Sequence, residues 1–122
     1  MIGMPAIISQ GEFSCVGTNL VVHKWQGSGP GYMHVHYEDD ECWYVIDGTL
    51  TFRLPEGEVV APAGTTVFVP AGTPHDYYET DGPCTYLIIM PPRLDALIGE
   101  LMQTPFAQHA EVFKKYASEV LS

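Results

Sequence analysis

Four side chains that can bind a metal ion recur at spacings typical of β-strands. His34 and His36 are separated by one residue, and side chains at positions i and i+2 of a strand point to the same face. Glu41 follows after a short acidic turn, and His75 opens a later run of strand-forming residues. Three imidazoles and one carboxylate suit iron, nickel, manganese, zinc or copper, so these residues are a candidate site for one divalent transition-metal ion.

The same four residues also allow a less specific interpretation. Two histidines on one strand can simply face water, and His75 alone can be an ordinary core or surface residue. Ligands that are distant in sequence meet only where a rigid scaffold holds them together. A metal site at these positions therefore depends on the elements that carry the four residues.

Short strand-forming runs separated by turn residues fill the first 90 positions. The chain contains 12 glycines and 10 prolines among its 122 residues, and Asp47-Gly48 is a strong hairpin signal. The runs are residues 13–16, 20–26, 32–36, 41–46, 49–54, 59–61, 65–69, 75–79 and 85–90. Strands this short, at this regular spacing, predict an all-β sandwich or barrel.

The hydrophobic period changes from that of strands to that of helices after Pro92. An apolar stripe predicts a helix near residues 94–102, and a second stripe that begins at Phe106 predicts another over residues 105–121. The first stripe consists of Leu94, Leu97, Ile98 and Leu101. We expect one domain, in which residues 1–92 form the barrel and residues 93–122 form a helical extension whose stripes pack on its outside.

Charge and composition exclude several classes of partner. Lysine and arginine total 5 against 15 aspartates and glutamates, and this net charge of −10 argues against binding to nucleic acid or to anionic membranes. Residues 1–10 lack the features of a secretory leader, and no apolar run is long enough to span a membrane. The chain has three cysteines, Cys15, Cys42 and Cys84, and no CxxC motif. An odd number of widely spaced cysteines does not suggest a disulfide framework, so we expect three buried thiols and a cytoplasmic location.

Two segments of the chain resemble the two sequence motifs of the cupin superfamily. The first reads His34-x-His36-x4-Glu41-x6-Gly48, and the second reads Gly64-x5-Pro70-x-Gly72-x2-His75. The resemblance implies an all-β fold, a cupin jelly-roll β-barrel with a short C-terminal helical extension. It also implies that His34, His36, Glu41 and His75 bind the metal inside the barrel. Glu79 departs from the motif, in which asparagine is frequent, and this glutamate either alters the polarity of the pocket or faces solvent.

Strand alternation places three aromatic residues on the same faces as the metal ligands. Tyr32, Trp43 and Tyr77 are therefore expected to line a pocket for a small-molecule substrate, although simple core packing explains the same pattern. Glu41 is expected to be catalytic as well as a ligand, because its carboxylate can accept a proton from a substrate hydroxyl.

The resemblance implies an activity and an assembly. Small single-domain cupins of this layout are similar to relatives of quercetin dioxygenase, which implies a metal-dependent oxygenase. A non-redox isomerase, cyclase or lyase, and a binding protein without catalysis, are the alternatives, because the fold alone does not choose among them. The family likeness also implies a homodimer joined through sheet edges, to which residues 13–16 and 20–25 contribute.

Overall fold

The computed structural model describes residues 6–8 and 11–122. Most of the first ten residues, on which the expectation of no secretory leader rests, lie outside this described part. The strands are β1 (Ser14–Val16), β2 (Val21–Gln26), β3 (His34–His36), β4 (Glu41–Asp47), β5 (Thr49–Leu54), β6 (Gly57–Pro62), β7 (Thr66–Val69), β8 (Asp76–Glu79), β9 (Thr85–Met90) and β10 (Ser118–Val120). The helices are α1 (Pro92–Leu101), a 3-10 turn at Phe106–Gln108, and α2 (His109–Lys114).

The strands form two antiparallel layers. One is a five-stranded sheet in the order β1-β2-β9-β4-β7. The other combines the three-stranded sheet β6-β5-β8 with the pair β10-β3, because a bridge between His34 and His75 joins β3 to the start of β8. This arrangement confirms the predicted all-β jelly roll with a short helical C-terminal segment.

The core lies between the layers and follows the two-residue period of the strands. In β9 every second side chain is buried, and β4 alternates in the same way from its first residue. The largest inward side chains of the two layers are Trp43, Val45, Leu50, Phe52, Tyr86, Ile88 and Met90. Burial of these apolar side chains between two hydrogen-bonded layers holds the strands, and the residues they carry, in fixed register.

The C-terminal segment differs from the expected second helix. The prediction of one helix over residues 105–121 is wrong, because α2 ends at Lys114 and Ala117 adopts a left-handed conformation with φ 53°. The chain then continues as β10, which pairs antiparallel with β3. Pairing with a free strand edge satisfies backbone groups that a longer helix would leave exposed on β3, so tertiary contacts override the helical pattern. Among the described residues, no helix is long and apolar enough to cross a membrane.

The outer face of the five-stranded sheet carries an apolar row. Its members are adjacent in register from β1 to β7: Cys15, Val22, Ile89, Cys42 and Phe68. Cys15 and Cys42 are therefore partly exposed rather than buried as expected, whereas Cys84 is fully buried. Leu20, which exposes 55% of its surface, lies beside Cys42, Phe68 and Ile89 of this row. Val16 exposes 63% at the edge strand β1, on the face opposite to that of Cys15. Exposed apolar side chains at an edge strand are typical of an interface.

The homodimer stays a prediction, and the edge at β1 provides its test. The double substitution Val16→Glu and Leu20→Glu would place two charges on this surface and is expected to convert a dimer to a monomer, because burying unpaired carboxylates is costly. Light scattering coupled to size exclusion measures the mass. Val60→Glu is the matched control, since Val60 is 61% exposed on β6 of the other layer. A wild-type protein of monomer mass at high micromolar concentration would make the prediction wrong.

Candidate metal centre

Strand β3 brings two of the predicted ligands to one face. His34 and His36 are both buried, and their ring centroids lie 5.1 Å apart. The i and i+2 spacing on a strand accounts for this arrangement directly.

His75 joins this pair through the backbone bridge that connects the two parts of the second layer. The His34 N–H donates to the carbonyl of His75 at 3.1 Å, and the His75 N–H donates to the carbonyl of His34 at 2.9 Å. The three histidines each present one ring nitrogen, and these nitrogens all lie within 4.8 Å of one another. Among the described residues, these three histidines are the group whose ligand atoms lie close enough together to hold one metal ion.

Glu41, the first residue of β4, adds a carboxylate to the group. Its Oε1 atom lies 3.1 Å from Nε2 of His36 and 3.2 Å from Nε2 of His75. Glu41 is 5% exposed and reaches the histidines from the facing layer of the barrel. The structure thus places the Glu41 carboxylate beside His36 and His75, while the three histidines form the mutually close set.

Hydrogen bonds at the far side of each imidazole orient the rings. Nδ1 of His34 lies 3.1 Å from the carbonyl of Tyr32, and Nδ1 of His75 lies 2.9 Å from the carbonyl of Thr73. Because a carbonyl can only accept, both rings carry a hydrogen on Nδ1, and a neutral imidazole then has its lone pair on Nε2. Nδ1 of His36 bonds the hydroxyl of Ser118 at 2.8 Å. Outward bonds of this kind are typical of histidines that ligate metals.

The protonation of the group follows from burial and from mutual contact. Burial is the main cause that lowers the pKa of His34 to about 3, and the neighbouring His75 and His36 contribute in the same direction. Burial opposes ionisation of Glu41, but the hydrogen bonds and the charge that His36 and His75 supply when their rings are protonated outweigh it and hold the pKa of the carboxyl at about 2. For His75, burial works against the charged form and the Glu41 carboxylate outweighs it, so the pKa of His75 is raised.

These residues fit a divalent transition metal. An ionised carboxylate oxygen close to imidazole nitrogens that carry lone pairs is repulsive unless positive charge, a proton or a metal ion, lies among them. Three imidazole nitrogens and one carboxylate oxygen are donors that iron, manganese, nickel, copper and zinc accept in proteins. The group therefore matches the expected ligand set in donor chemistry.

A cavity of about 390 Å³ opens onto this group. His34, His36 and Glu41 form part of its wall, and Tyr77 and Tyr86 add two phenol rings. The apolar wall comprises Trp25, Pro30, Ile88, Leu94, Leu97, Ile98, Leu101, Met102 and Phe113. Within the part of the chain that the structure describes, no lysine or arginine lines this cavity. A small, largely apolar molecule fits such a space.

The three aromatic residues expected to line the pocket have different positions. Tyr77 lies in the cavity wall, and burial raises its pKa to about 12, so its phenol stays protonated. Trp43 is 1% exposed behind the wall, where its ring packs against His75 and Tyr77. Tyr32 is buried with its hydroxyl 2.8 Å from Nδ1 of His109. Trp43 and Tyr32 therefore support the wall from behind rather than form its surface.

The C-terminal segment supplies wall residues that sequence reasoning did not assign to the site. The stripe on α1 was expected to pack on the outside of the β domain, but Leu94, Leu97, Ile98 and Leu101 face the cavity. Phe113 packs on the rings of His34 and His36, and Ser118 bonds His36. The helical period was the sequence signal for the apolar residues among these, and it does not say which surface a helix covers. Ser118 had no such signal.

Glu79 neither lines the cavity nor faces solvent freely. Its Oε2 atom accepts the backbone N–H of Gly27 at 3.2 Å and that of Cys84 at 2.8 Å. These bonds tie the loop before β9 to the loop after β2. The glutamate therefore replaces the asparagine of the motif in a structural position near the end of β8.

The comparisons with known proteins agree with this geometry. The sequence profile of the cupin domain matches residues 19–90, which is more than half of the chain. The chain belongs to the cupin family. No curated protein matches it significantly.

Solved structures resemble the chain over much of its length. A sugar phosphate isomerase of the cupin superfamily from Silicibacter pomeroyi is 28% identical, with 60% of this chain and 50% of that chain covered and a TM-score of 0.54. The polyketide cyclase RemF from Streptomyces resistomycificus is 25% identical, with 62% and 56% covered and a TM-score of 0.54. The chain spans only about half the length of these two proteins.

A third structure resembles the chain in its fold alone. The alignment with a cupin protein from Bacteroides fragilis covers 75% of this chain and 86% of that chain, with a TM-score of 0.58 and 14% identity.

Removing a histidine from the group is expected to weaken metal binding. His34→Ala and His75→Ala should each lower metal affinity more than about tenfold, because losing a ligand costs at least as much as losing the hydrogen bond that orients one. Isothermal titration of metal-free protein with each divalent ion measures affinity and stoichiometry. His23→Asn is the control, since His23 is also buried but bonds Ser14 and Asp95 and lies outside the group of mutually close histidines.

Thermal unfolding gives an independent readout of the same site. Metal at about 100 times its dissociation constant should stabilise the wild type by about 2.7 kcal/mol, because it binds only the folded state. The two ligand variants should gain less from the same metal concentration. Equal stabilisation and stoichiometric binding in His34→Ala and His75→Ala would contradict the ligand assignment.

Proposed function

We propose that the protein is a metal-dependent enzyme of the dioxygenase type that acts on a small organic substrate in the barrel cavity. The observation that carries this proposal is the group of three imidazoles and one carboxylate facing an apolar cavity of about 390 Å³. Such a site would hold a divalent ion next to a space from which a bound substrate excludes water.

His34, His36, His75 and Glu41 would hold the ion, and Glu41 is the catalytic residue of the proposal. A bound divalent transition-metal ion would polarise a substrate oxygen and, where it is redox-active, support reaction of the substrate with dioxygen. These four ligands would leave room on the ion for a substrate oxygen and for dioxygen.

Glu41 is placed to accept a proton from a substrate hydroxyl. Its pKa of about 2 depends on hydrogen bonds from His36 and His75. A carboxylate that binds the ion through one oxygen would keep its second oxygen available to accept the proton of a substrate hydroxyl. Removing the hydroxyl proton leaves an electron-rich substrate, which is the form that reacts with dioxygen.

The direction of the hydrogen bonds in the cavity supports a substrate with hydroxyl groups. The Tyr86 hydroxyl donates to the carbonyl of Gly27 at 3.0 Å, so the 3.0 Å contact between Tyr77 and Tyr86 uses the hydrogen of Tyr77. Each phenol has only one hydrogen, and both phenols therefore offer lone pairs to a bound molecule. Together with the Glu41 carboxylate, they favour a substrate that donates hydrogen bonds.

The same cavity disfavours phosphorylated substrates. The sugar phosphate isomerase is a relative at 28% identity, but recognition of a phosphate calls for cationic side chains or exposed backbone N–H groups. The cavity wall has neither lysine nor arginine among the described residues. A neutral molecule with an apolar body and one or more enol or phenol hydroxyls is the substrate class that we propose.

A non-redox reaction is the second candidate, and one observation favours it. The relative at 25% identity is a polyketide cyclase, and an apolar cavity suits the aromatic or enolisable substrates of such chemistry. Here the ion would polarise a carbonyl while Glu41 moves a proton, without dioxygen. Binding of a ligand without turnover is the remaining alternative.

Dioxygen consumption is expected to separate these functions. Protein loaded separately with Fe(II), Ni(II), Mn(II) or Zn(II) is offered flavonols and enolisable diketones, each paired with its O-methyl ether. We expect uptake with at least one redox-active ion for the free hydroxyl compounds and none for the ethers, which have no proton for Glu41. Sugar phosphates should be neither bound nor converted. Product formed without dioxygen would favour the cyclase or isomerase, and saturable binding without product would favour the binding protein.

Replacing Glu41 tests its role as proton acceptor. Glu41→Gln keeps an oxygen donor for the ion but cannot take up a proton, and its turnover is expected to fall by about 10²–10⁴-fold, the usual contribution of a general base. Glu56→Gln makes the same chemical change on an exposed turn and should leave turnover unchanged. Uptake that survives in Glu41→Gln would remove Glu41 from catalysis while leaving the oxygenase proposal intact.

A further inference from the structure

We propose that Ser118 is a positioning residue of the metal centre, which fixes the hydrogen of His36 on Nδ1 and thereby keeps Nε2 free to bind the ion. This inference rests on the proposed metal-dependent function, and it assigns to that site a residue outside both sequence motifs. Ser118 belongs to β10 and follows His36 by 82 positions in the sequence.

Backbone pairing places Ser118 directly beside His36. Strand β10 runs antiparallel to β3 with Ser118 opposite His36 and Val120 opposite His34. Two further bonds extend the pairing at its ends: the Tyr37 N–H donates to the carbonyl of Ala117 at 2.9 Å, and the Leu121 N–H donates to that of Met33 at 2.8 Å. Ser118 is 4% exposed, so water does not compete for its hydroxyl.

The direction of the bond between Ser118 and His36 follows from the single hydroxyl hydrogen. The Ser118 hydroxyl donates to the carbonyl of Tyr116 at 2.9 Å. Its 2.8 Å contact with Nδ1 of His36 must then be one in which the serine oxygen accepts and the imidazole donates. A neutral imidazole has only one N–H, so the lone pair of His36 lies on Nε2, towards Glu41.

His36 depends on a side chain in a way that the other two histidines do not. Nδ1 of His34 and of His75 each donate to a backbone carbonyl two residues away in their own segment. The orientation of His36 depends instead on a hydroxyl from the C-terminal strand. The ring of Phe113 stacks on His36 with an interplanar angle of 7° and holds the plane of the ring, while Ser118 determines which nitrogen carries the hydrogen.

Removing the hydroxyl favours the wrong tautomer. In Ser118→Ala, an Nδ1–H of His36 would be buried without an acceptor, which is unfavourable. Moving the hydrogen to Nε2 relieves this loss, because the Glu41 oxygen 3.1 Å away can accept it. That tautomer has no lone pair at the metal centre, and a metal ion must displace the hydrogen before His36 can bind.

Metal titration of matched variants tests the inference. Ser118→Ala is expected to lose about 10–100-fold in metal affinity, the usual effect of removing a partner that orients a ligand. Ser118→Thr retains the hydroxyl and should restore affinity to within a few-fold of the wild type. Ser14→Ala is the matched control, because Ser14 lies 2.7 Å from Nδ1 of His23, a histidine outside the metal centre. Its metal affinity should equal that of the wild type.

The tautomer itself can be measured without metal. Nitrogen NMR of metal-free protein should show a hydrogen on Nδ1 of His36 in the wild type and in Ser118→Thr. In Ser118→Ala the hydrogen should shift towards Nε2, which a purely structural role for Ser118 would not produce. If Ser118→Ala fails to fold, as judged by circular dichroism, Ser118→Cys takes its place, because it is close in size and a much weaker acceptor.

The outcomes distinguish this inference from the proposed function. Wild-type protein that binds metal, together with Ser118→Ala of equal affinity and unchanged tautomer, would overturn the role of Ser118 alone. Wild-type protein that binds no divalent metal would overturn the metal centre and this inference with it. Loss of affinity in Ser118→Ala with recovery in Ser118→Thr supports both.

Discussion

The close approach of a buried carboxylate to imidazole nitrogens is the interaction on which this structure depends. Oε1 of Glu41 lies 3.1 Å from Nε2 of His36 and 3.2 Å from Nε2 of His75. In a site of low polarity this contact is stable only when positive charge lies among the groups. A rigid scaffold is then required, because the strands must hold these atoms together whether the charge is a proton or a metal ion. The paired layers and the bridge between His34 and His75 provide that rigidity.

The C-terminal segment completes the barrel in two ways. Helix α1 places its apolar stripe against the cavity, so apolar side chains form much of the wall near the histidines. Strand β10 covers the edge of β3 and brings Ser118 to His36. The shape of the cavity and the contact with His36 thus both depend on residues that follow the cupin match at residues 19–90.

Charge separates the surface of the molecule from its cavity. The chain carries a net charge of −10, yet the acidic residue that lines the cavity is Glu41, and the described part of the wall has no lysine or arginine. A bound cation would therefore be the dominant positive charge that a substrate meets. In the proposed function, the ion would orient a substrate oxygen, and the acceptor oxygens of Tyr77 and Tyr86 would favour hydroxyl groups on the same molecule.

The sequence by itself determined the elements whose signals are local. The i and i+2 spacing of His34 and His36, the turn residues between short runs, and the two motifs predicted the jelly roll and the four residues that meet at its centre. Tertiary structure decided everything that depends on which surfaces face one another. The segment predicted as the second helix forms α2 and β10, because pairing with β10 satisfies the backbone groups at the edge of β3. Packing of the two layers likewise buries Trp43 behind the cavity wall. Tertiary structure also paired Ser118 with His36 across 82 positions of sequence, a contact that no local period encodes, because the register of two strands is set by the packing of the whole barrel.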